Sequence, residues 1–135
     1  MKNEENILQQ RNIKPTAMRL LVVEKLLQQK YAISHKELAE QFENADNVTL
    51  FRTLKTFLKH KLIHTIDDGT GVVKYALCQS GCNCKPSEQH THFHCSQCQR
   101  TFCLTDTEIP NINIPLNFKL EGINLVLKGR CDRCN

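Results

Sequence analysis

Two Cys-x-x-Cys pairs, Cys95/Cys98 and Cys131/Cys134, constrain this chain more than any other feature. Zn²⁺ binds four thiolates in a tetrahedron, and a Cys-x-x-Cys turn presents two sulfurs to one ion. A single pair also occurs in redox motifs or as two buried cysteines, whereas two pairs are typical of a structural zinc site. The gap between the pairs is longer than in a compact zinc ribbon. We therefore expect one zinc ion to hold the last residues of the chain against a small sheet.

The length and the cysteine content indicate the class of protein. A chain of 135 residues forms one ordinary domain or two very small ones, and a part of about 65 residues needs stabilisation from metal or dimerisation. Eight cysteines would indicate disulfides in a secreted chain. The first residues are mostly polar and charged, however, and no apolar run approaches the length of a membrane span. A cytoplasmic protein with metal-bound thiolates is therefore expected, without a membrane partner.

The basic residues are concentrated in the half of the chain that lacks cysteine. Residues 1–61 contain 11 Lys/Arg and 7 Asp/Glu, whereas residues 62–135 contain 7 of each. A polyanionic partner would account for this asymmetry, and so would an ordinary solvated surface. The charge alone leaves both interpretations open.

The first half has the pattern of a winged-helix domain. A helix over residues 16–29 is predicted from apolar residues at helical spacing, namely Leu20, Leu21, Val23, Leu26 and Leu27. Ser34 and Glu37 have the spacing of a capping box, which predicts a second helix. Asn47 is the predicted cap of a third helix, with Leu50, Leu54, Phe57 and Leu58 on its apolar face. Residues 62–66 and 72–77, joined by a glycine-containing turn, predict a β-hairpin that would form the wing.

The third helix is the candidate for insertion into the DNA major groove. Its outward side chains would contact phosphates and base edges, and they are Thr49, Arg52, Lys55, Thr56 and Lys59. A solvated helix face is the alternative interpretation. Phe51 lies beside the apolar stripe, so the pattern alone predicts that it belongs to the core.

The composition changes after Cys78. Residues 79–89, which include Cys82 and Cys84, are small and polar and resemble a linker. On a strand over residues 90–95 the three histidines would share one face. His90 and His92 could chelate one ion there, whereas His94 is expected to be merely exposed. Further strands are predicted at 101–104, which carries Cys103, and at 123–127, so a second metal site is expected beside the first.

Together these residues resemble the ferric uptake regulator family of metal-responsive repressors over nearly the full length of the chain. Residues 14–19 (Lys-Pro-Thr-Ala-Met-Arg) resemble its first DNA-contacting segment. Residues 47–54 (Asn-Val-Thr-Leu-Phe-Arg-Thr-Leu) resemble its recognition-helix motif, with phenylalanine where tyrosine is usual. His90-x-His92-x-x-Cys95-x-x-Cys98 resembles its metal motif, and Cys131/Cys134 its second structural pair. The resemblance implies DNA contacts from five residues: Lys14, Arg19, Thr49, Phe51 and Arg52.

The chain departs from the iron and peroxide sensors of that family at the second metal site. Those proteins often have carboxylates at the positions of Ala76 and Cys103, so this site has lost oxygen and gained sulfur. His64 and Cys78 are similar to positions that zinc uptake regulators use. The candidate regulatory ligands are therefore His64, Cys78, His90, His92 and Cys103.

Five candidates exceed the four places around tetrahedral Zn²⁺, which prefers such a nitrogen and sulfur set over an oxygen-rich shell. One candidate must therefore lie outside the coordination sphere. Cys84 or Asp67 could replace Cys78 or His64. Cys78 and Cys103 could also be small buried hydrophobic residues, as free cysteines often are.

The resemblance implies an α+β fold with a winged-helix DNA-binding domain at 1–78, a hinge at 79–89, and a small α/β metal-binding dimerisation domain at 90–135. It implies a homodimeric, zinc-responsive repressor that binds a double-stranded DNA operator, with one structural Zn²⁺ and a regulatory second Zn²⁺ or Fe²⁺. An iron- or peroxide-responsive regulator is one alternative, and a thiol redox or zinc-handling protein is another. An enzyme with a small organic substrate is not expected, because neither Cys pair has a βαβ context and no nucleophile has a base.

Overall fold

The structure, a computed structural model, describes residues 2–42, 46–77, 91–104 and 107–135. The elements in chain order are α1 (Lys2–Gln10), α2 (Ala17–Gln28), β1 (Ile33–Ser34), α3 (His35–Glu40), α4 (Asn47–Lys59), β2 (Ile63–Ile66), β3 (Lys74–Leu77), β4 (Thr91–Cys95), β5 (Thr101–Leu104) and β6 (Val126–Gly129). The predicted α+β class is confirmed. None of the helices in these ranges is long and apolar enough to cross a membrane.

Hydrogen bonds from side chains define where α2 and α3 begin. The Thr16 hydroxyl accepts a bond from the backbone of Arg19 at the start of α2. At α3 the predicted capping box is present, since Glu37 N donates to Ser34 Oγ over 3.1 Å and Ser34 N donates to Glu37 Oε1 over 3.4 Å. Each bond pairs a backbone N–H that the helix itself leaves without a partner.

Two features of the helices differ from the sequence prediction. Asp46, not Asn47, caps α4, because its carboxylate accepts bonds from Val48 N and Thr49 Oγ1, each over 3.0 Å. Asn47 is already the first helical residue. Helix α1 was not predicted, because its residues are mostly polar and only Leu8 among them is buried.

The helices and the hairpin enclose one apolar core. The face of α2 that faces this core is rotated from the predicted one, because Val22, Val23 and Leu26 are buried whereas Leu21 and Leu27 are exposed. Helix α4 contributes Leu50, Leu54 and Phe57, all nearly inaccessible to solvent. The opposite face of α4 is therefore held outward by a buried apolar stripe.

The predicted hairpin is present as a three-stranded sheet in the order β1-β3-β2. Strand β2 pairs antiparallel with β3, so that His64 lies opposite Ala76. The connecting turn uses Gly69 and Gly71, whose φ angles of 88° and 85° favour glycine. Strand β3 is shorter than predicted, since Val72 and Val73 precede it and are exposed.

A second sheet, in the order β5-β4-β6, carries the cysteine pairs. Strand β4 pairs antiparallel with β5 and parallel with β6. The strand predicted at 123–127 lies instead at Val126–Gly129. No helix occurs in the described residues of 91–135, so the α/β character expected for this part is not seen there. The predicted hinge lies outside the described residues.

The two sheets contact each other directly. Ala32 pairs with Thr101 in an isolated antiparallel bridge, in which Ala32 N donates to Thr101 O over 2.7 Å. Asn124 Nδ2 also donates to Asp67 O over 3.1 Å. The wing, which consists of β2, β3 and the turn that joins them, therefore lies against the sheet that holds the candidate metal ligands.

Candidate metal centres

The four cysteines of the two Cys-x-x-Cys pairs form one cluster. Cys95 ends β4 and Cys98 lies in the turn that follows it, while Cys131 and Cys134 lie in the turn after β6. Because β4 and β6 are parallel neighbours, their carboxyl ends lie side by side and the two turns meet. All four sulfurs lie within 4.8 Å of one another, an arrangement that could hold a metal ion.

The geometry of this cluster fits Zn²⁺. A tetrahedron of sulfurs with Zn–S bonds of about 2.3 Å has edges of about 3.8 Å. The distance between Cys98 Sγ and Cys131 Sγ is 3.8 Å. The backbone amides of Cys98 and Cys131 each donate to Cys95 Sγ over 3.4 Å, and such bonds stabilise a metal-bound thiolate.

The same contacts shift the pKa values of the thiols. The amide hydrogen bond from Cys98 lowers the pKa of Cys95 to about 6, against the opposing effect of burial. The contact with the Cys131 sulfur, together with burial, raises the pKa of Cys134 to about 12. Four thiols at this separation cannot all ionise alone, whereas a divalent cation compensates the charge of the thiolates.

A second cluster contains three of the five candidate regulatory ligands. His64 comes from β2, His92 from β4 and Cys103 from β5, and their ligand atoms lie within 4.8 Å of one another. His92 and Cys103 are directly opposite in the β4–β5 pair, so they share one face of the sheet. The wing adds His64, whose Nε2 lies 3.7 Å from Cys103 Sγ and whose ring centroid lies 5.9 Å from that of His92.

The donor set of the second cluster also fits Zn²⁺, which accepts imidazole and thiolate ligands. Burial raises the pKa of Cys103 to about 11, so this thiol must release its proton when it binds a metal. Cys78 and His90 lie outside the described residues, as do Cys82 and Cys84. Asp67, the alternative to His64, is not in the cluster, and its Oδ1 accepts a bond from Gly69 N.

His94 differs from the prediction that it would be merely exposed. It is buried, with Nδ1 2.9 Å from Thr101 Oγ1 and Nε2 3.1 Å from Gln99 Oε1. The wing covers this face of β4, and Asp68 of the wing lies 3.5 Å from His94 Nδ1. Nothing in the local sequence of β4 indicates that cover, because the covering residue lies 26 positions earlier.

A buried ion pair beside His94 was also missed by the sequence analysis. Lys74 Nζ lies 2.7 Å from Asp68 Oδ2, and both side chains are almost fully buried. Burial acts to raise the pKa of Asp68, but hydrogen bonds from Lys74, Thr101 and Thr70 outweigh it and hold that pKa below its usual value. Both partners belong to the wing, and they face the second sheet.

The residues implied as DNA contacts lie on two neighbouring segments. Thr49, Phe51 and Arg52 are exposed on α4. Lys14 is exposed before α2, and Arg19 Nη1 donates to Lys14 O over 2.9 Å. The core position that the pattern alone predicted for Phe51 is wrong. Its side chain is 46% exposed, and Lys55 Nζ lies 4.9 Å from its ring centroid.

Comparison with known proteins decides the family. Residues 10–127 match the Ferric uptake regulator family. The chain belongs to this family. Its members are metal-responsive DNA-binding regulators of transcription, not enzymes. A comparison with curated proteins finds no match to the chain.

Solved structures of the family have the same fold. The ferric uptake regulator of Vibrio cholerae is 21% identical, with 94% of this chain and 98% of that chain covered and a TM-score of 0.62. A zinc uptake regulator in complex with zinc and DNA is 22% identical, with 98% and 90% covered and a TM-score of 0.63. The Helicobacter pylori ferric uptake regulator, described with three functional metal-binding sites, is 15% identical, with 98% and 89% covered and a TM-score of 0.61.

The four-cysteine cluster gives a direct prediction about folding. Replacement of one ligand, as in Cys98→Ser or Cys134→Ser, should unfold the C-terminal part, because metal binding to such a site supplies about 10 kcal/mol of apparent folding free energy. We expect a monomeric, zinc-poor protein by light scattering and metal analysis. Cys103→Ser makes the same chemical change outside the cluster and should keep this zinc. If Cys98→Ser remained a dimer with its full zinc content, the four cysteines would not form a structural zinc site.

Proposed function

We propose that this protein is a homodimeric, zinc-sensing transcriptional repressor of the cytoplasm. The observation that carries the proposal is the His64, His92 and Cys103 cluster, whose ligands come from both the wing and the second sheet. Zn²⁺ bound there would link the DNA-binding part to the part that carries the structural site. Cys78 and His90 are the candidates for the remaining place.

Such a link explains how zinc could change operator affinity. A ligand shifts an equilibrium only by its differential affinity for the two states. An ion that needs His64 close to Cys103 binds only when the wing lies against the sheet. If this arrangement is the one that fits the operator, bound zinc raises the affinity for DNA and bound DNA raises the affinity for zinc. Each tenfold gain in operator affinity corresponds to about 1.4 kcal/mol of coupling free energy.

The donor atoms support zinc over iron at this cluster. Two imidazoles and one thiolate form a softer set than the carboxylate-rich shells that suit ferrous ions. Ala76, at a position where iron and peroxide sensors often have a carboxylate, lies opposite His64 in the hairpin and has no ligand atom. The oxygen ligand is thus absent from the strand position nearest His64.

The DNA surface that we propose consists of α4 and the segment before α2. Its contact residues are Lys14, Arg19, Thr49, Phe51 and Arg52. The buried stripe of α4 holds Thr49 and Arg52 outward, and Asp46 fixes the start of the helix. The hydrogen bond from Arg19 to Lys14 O holds the preceding segment against α2. Phe51 presents an apolar edge suited to a thymine methyl group.

An exposed apolar segment supports the proposed homodimer. Residues 112–120 carry apolar side chains at every second position, namely Ile112, Ile114, Leu116, Phe118 and Leu120, all of them exposed. Leu116 is 92% exposed and Phe118 is 69% exposed. Soluble monomers rarely expose a contiguous apolar patch of this kind. A second copy of the chain would cover it.

The regulatory cluster predicts separable effects of its ligands. Cys103→Ser and His92→Ala should keep the four-cysteine zinc and the dimer but lose the zinc-dependent gain in operator binding, because each removes a ligand. Fluorescence anisotropy on operator DNA across buffered free Zn²⁺ and Fe²⁺ measures this gain. His60→Gln, which changes a histidine outside the cluster, is the control. If zinc still increases the operator affinity of both variants, at the same zinc concentration as for the wild type, the zinc sensor lies elsewhere.

The DNA surface predicts two different signatures. Arg52→Ala should cost about 1–3 kcal/mol at the cognate site and relax preference at one position, if Arg52 reads a base. Lys14→Ala should weaken binding evenly across sequences and reduce its salt dependence. Lys128→Ala removes the same charge from an exposed residue of β6, outside the apolar segment, and should bind normally. Wild-type cognate affinity in both test variants would refute this surface.

The apolar segment predicts the oligomeric state. Leu116→Asp combined with Phe118→Asp should give a monomer by light scattering, because each charge would have to be buried in the dimer. Val72→Asp places the same charge on an exposed apolar residue of the wing and should leave the dimer intact. The double variant remaining a dimer would show that another surface makes the contact.

A further inference from the structure

The wing and the second sheet are joined by polar contacts that the ligand cluster does not use. Asp68 and Lys74 form the buried ion pair of the wing, and Thr101 of β5 contacts both of them. Thr101 Oγ1 donates to Asp68 Oδ2 over 2.6 Å and accepts from Lys74 Nζ over 3.3 Å. We name this group of three residues the polar clamp.

Two further bonds extend the clamp along the sheet. Lys74 Nζ donates to Gln99 O over 2.9 Å, which ties the wing to the turn beside Cys98. His94 Nδ1 lies 2.9 Å from Thr101 Oγ1. The clamp therefore contacts both β5 and the turn that leads from β4 to β5.

The clamp lies next to the ligand cluster on the same strands. In β5, Thr101 precedes Cys103 by two residues, so both side chains lie on one face of the strand. In β4, His92 and His94 have the same relationship. The hairpin contributes His64 to the cluster and Lys74 to the clamp. Any rotation of the wing that breaks the clamp thus also moves His64 away from Cys103.

Burial makes the clamp specific for one arrangement of the wing. Asp68 and Lys74 pair within the wing, so a displaced wing keeps their ion pair. It loses the hydrogen bonds to Thr101 Oγ1 and Gln99 O that complete the surroundings of the two buried charges, and a buried pair is favourable only when such additional bonds are made. The clamp therefore disfavours orientations in which Thr101 is displaced from Asp68 and Lys74. None of its three residues belongs to the four-cysteine cluster or to the cluster of His64, His92 and Cys103. The clamp can therefore hold the wing without a metal ion.

We propose that the polar clamp is a positioning element that holds the wing against the sheet before the second metal binds, and so presents His64 to His92 and Cys103. This rests on the proposed function in one respect, namely that the cluster binds zinc. Loss of groups that orient metal ligands typically weakens metal binding by about 10–100-fold. Asp68→Asn should weaken zinc at the cluster by a factor in this range and leave the four-cysteine zinc unchanged.

The test compares Asp68→Asn with Asp67→Asn, which makes the same change of charge at the adjacent exposed residue. Zinc affinity is measured by competition with a chelator on protein that retains the four-cysteine zinc. Small-angle X-ray scattering of the same samples, without added zinc, measures the dimensions of the molecule. For Asp68→Asn we expect larger dimensions and weaker cluster zinc, and for Asp67→Asn wild-type values of both.

Thr101→Val is a second test variant of nearly equal volume, and it decides the question if Asp68→Asn does not fold. If the clamp only stabilised the fold, its variants would have lower thermal stability but would not lose zinc at the second cluster more than at the four cysteines. Wild-type cluster affinity in the folded variants would overturn the proposal, even with larger dimensions. If wild-type protein binds no second zinc, the proposed function fails, and unchanged scattering of the variants would then refute the clamp itself.

Discussion

Parallel pairing between β4 and β6 is the contact on which the C-terminal part of this structure depends. A parallel pair requires a long connection, which accounts for the many residues between the two Cys-x-x-Cys motifs. It also brings the carboxyl ends of both strands together, where Ser96 N donates to Gly129 O. The four sulfurs converge because of this pairing. A metal bound to them would in turn hold the pair closed.

The central strand of this sheet connects the two candidate metal centres. Cys95 belongs to the structural cluster, His92 to the second cluster, and His94 lies between them against the polar clamp. The wing covers the same face of the strand and supplies His64. We propose that structural zinc stabilises β4, that the clamp orients the wing, and that regulatory zinc strengthens an arrangement that already exists. Separate groups thus perform separate tasks along one strand.

The sequence pattern predicted the features that depend on interactions between residues close in sequence. The capping box at Ser34 and Glu37, the strand that carries Cys103, and the zinc-type spacing of the cysteines all follow from residues a few positions apart. Other features depended on distant contacts. The burial of His94, the packing of the Asp68–Lys74 pair against Thr101 and the shift of β6 to Val126–Gly129 depend on contacts across 26 residues or more, for which a single sequence offers no signal. The resemblance, not the periodicity, indicated that Phe51 is exposed.

In the mechanism that we propose, two zinc ions bind each chain, both against β4. Anomalous diffraction at the zinc edge, on crystals of the zinc-loaded protein with operator DNA, locates these ions. We expect one peak among the sulfurs of Cys95, Cys98, Cys131 and Cys134. We expect a second peak between His64, His92 and Cys103. A single peak, or a second peak away from these three residues, would refute the mechanism.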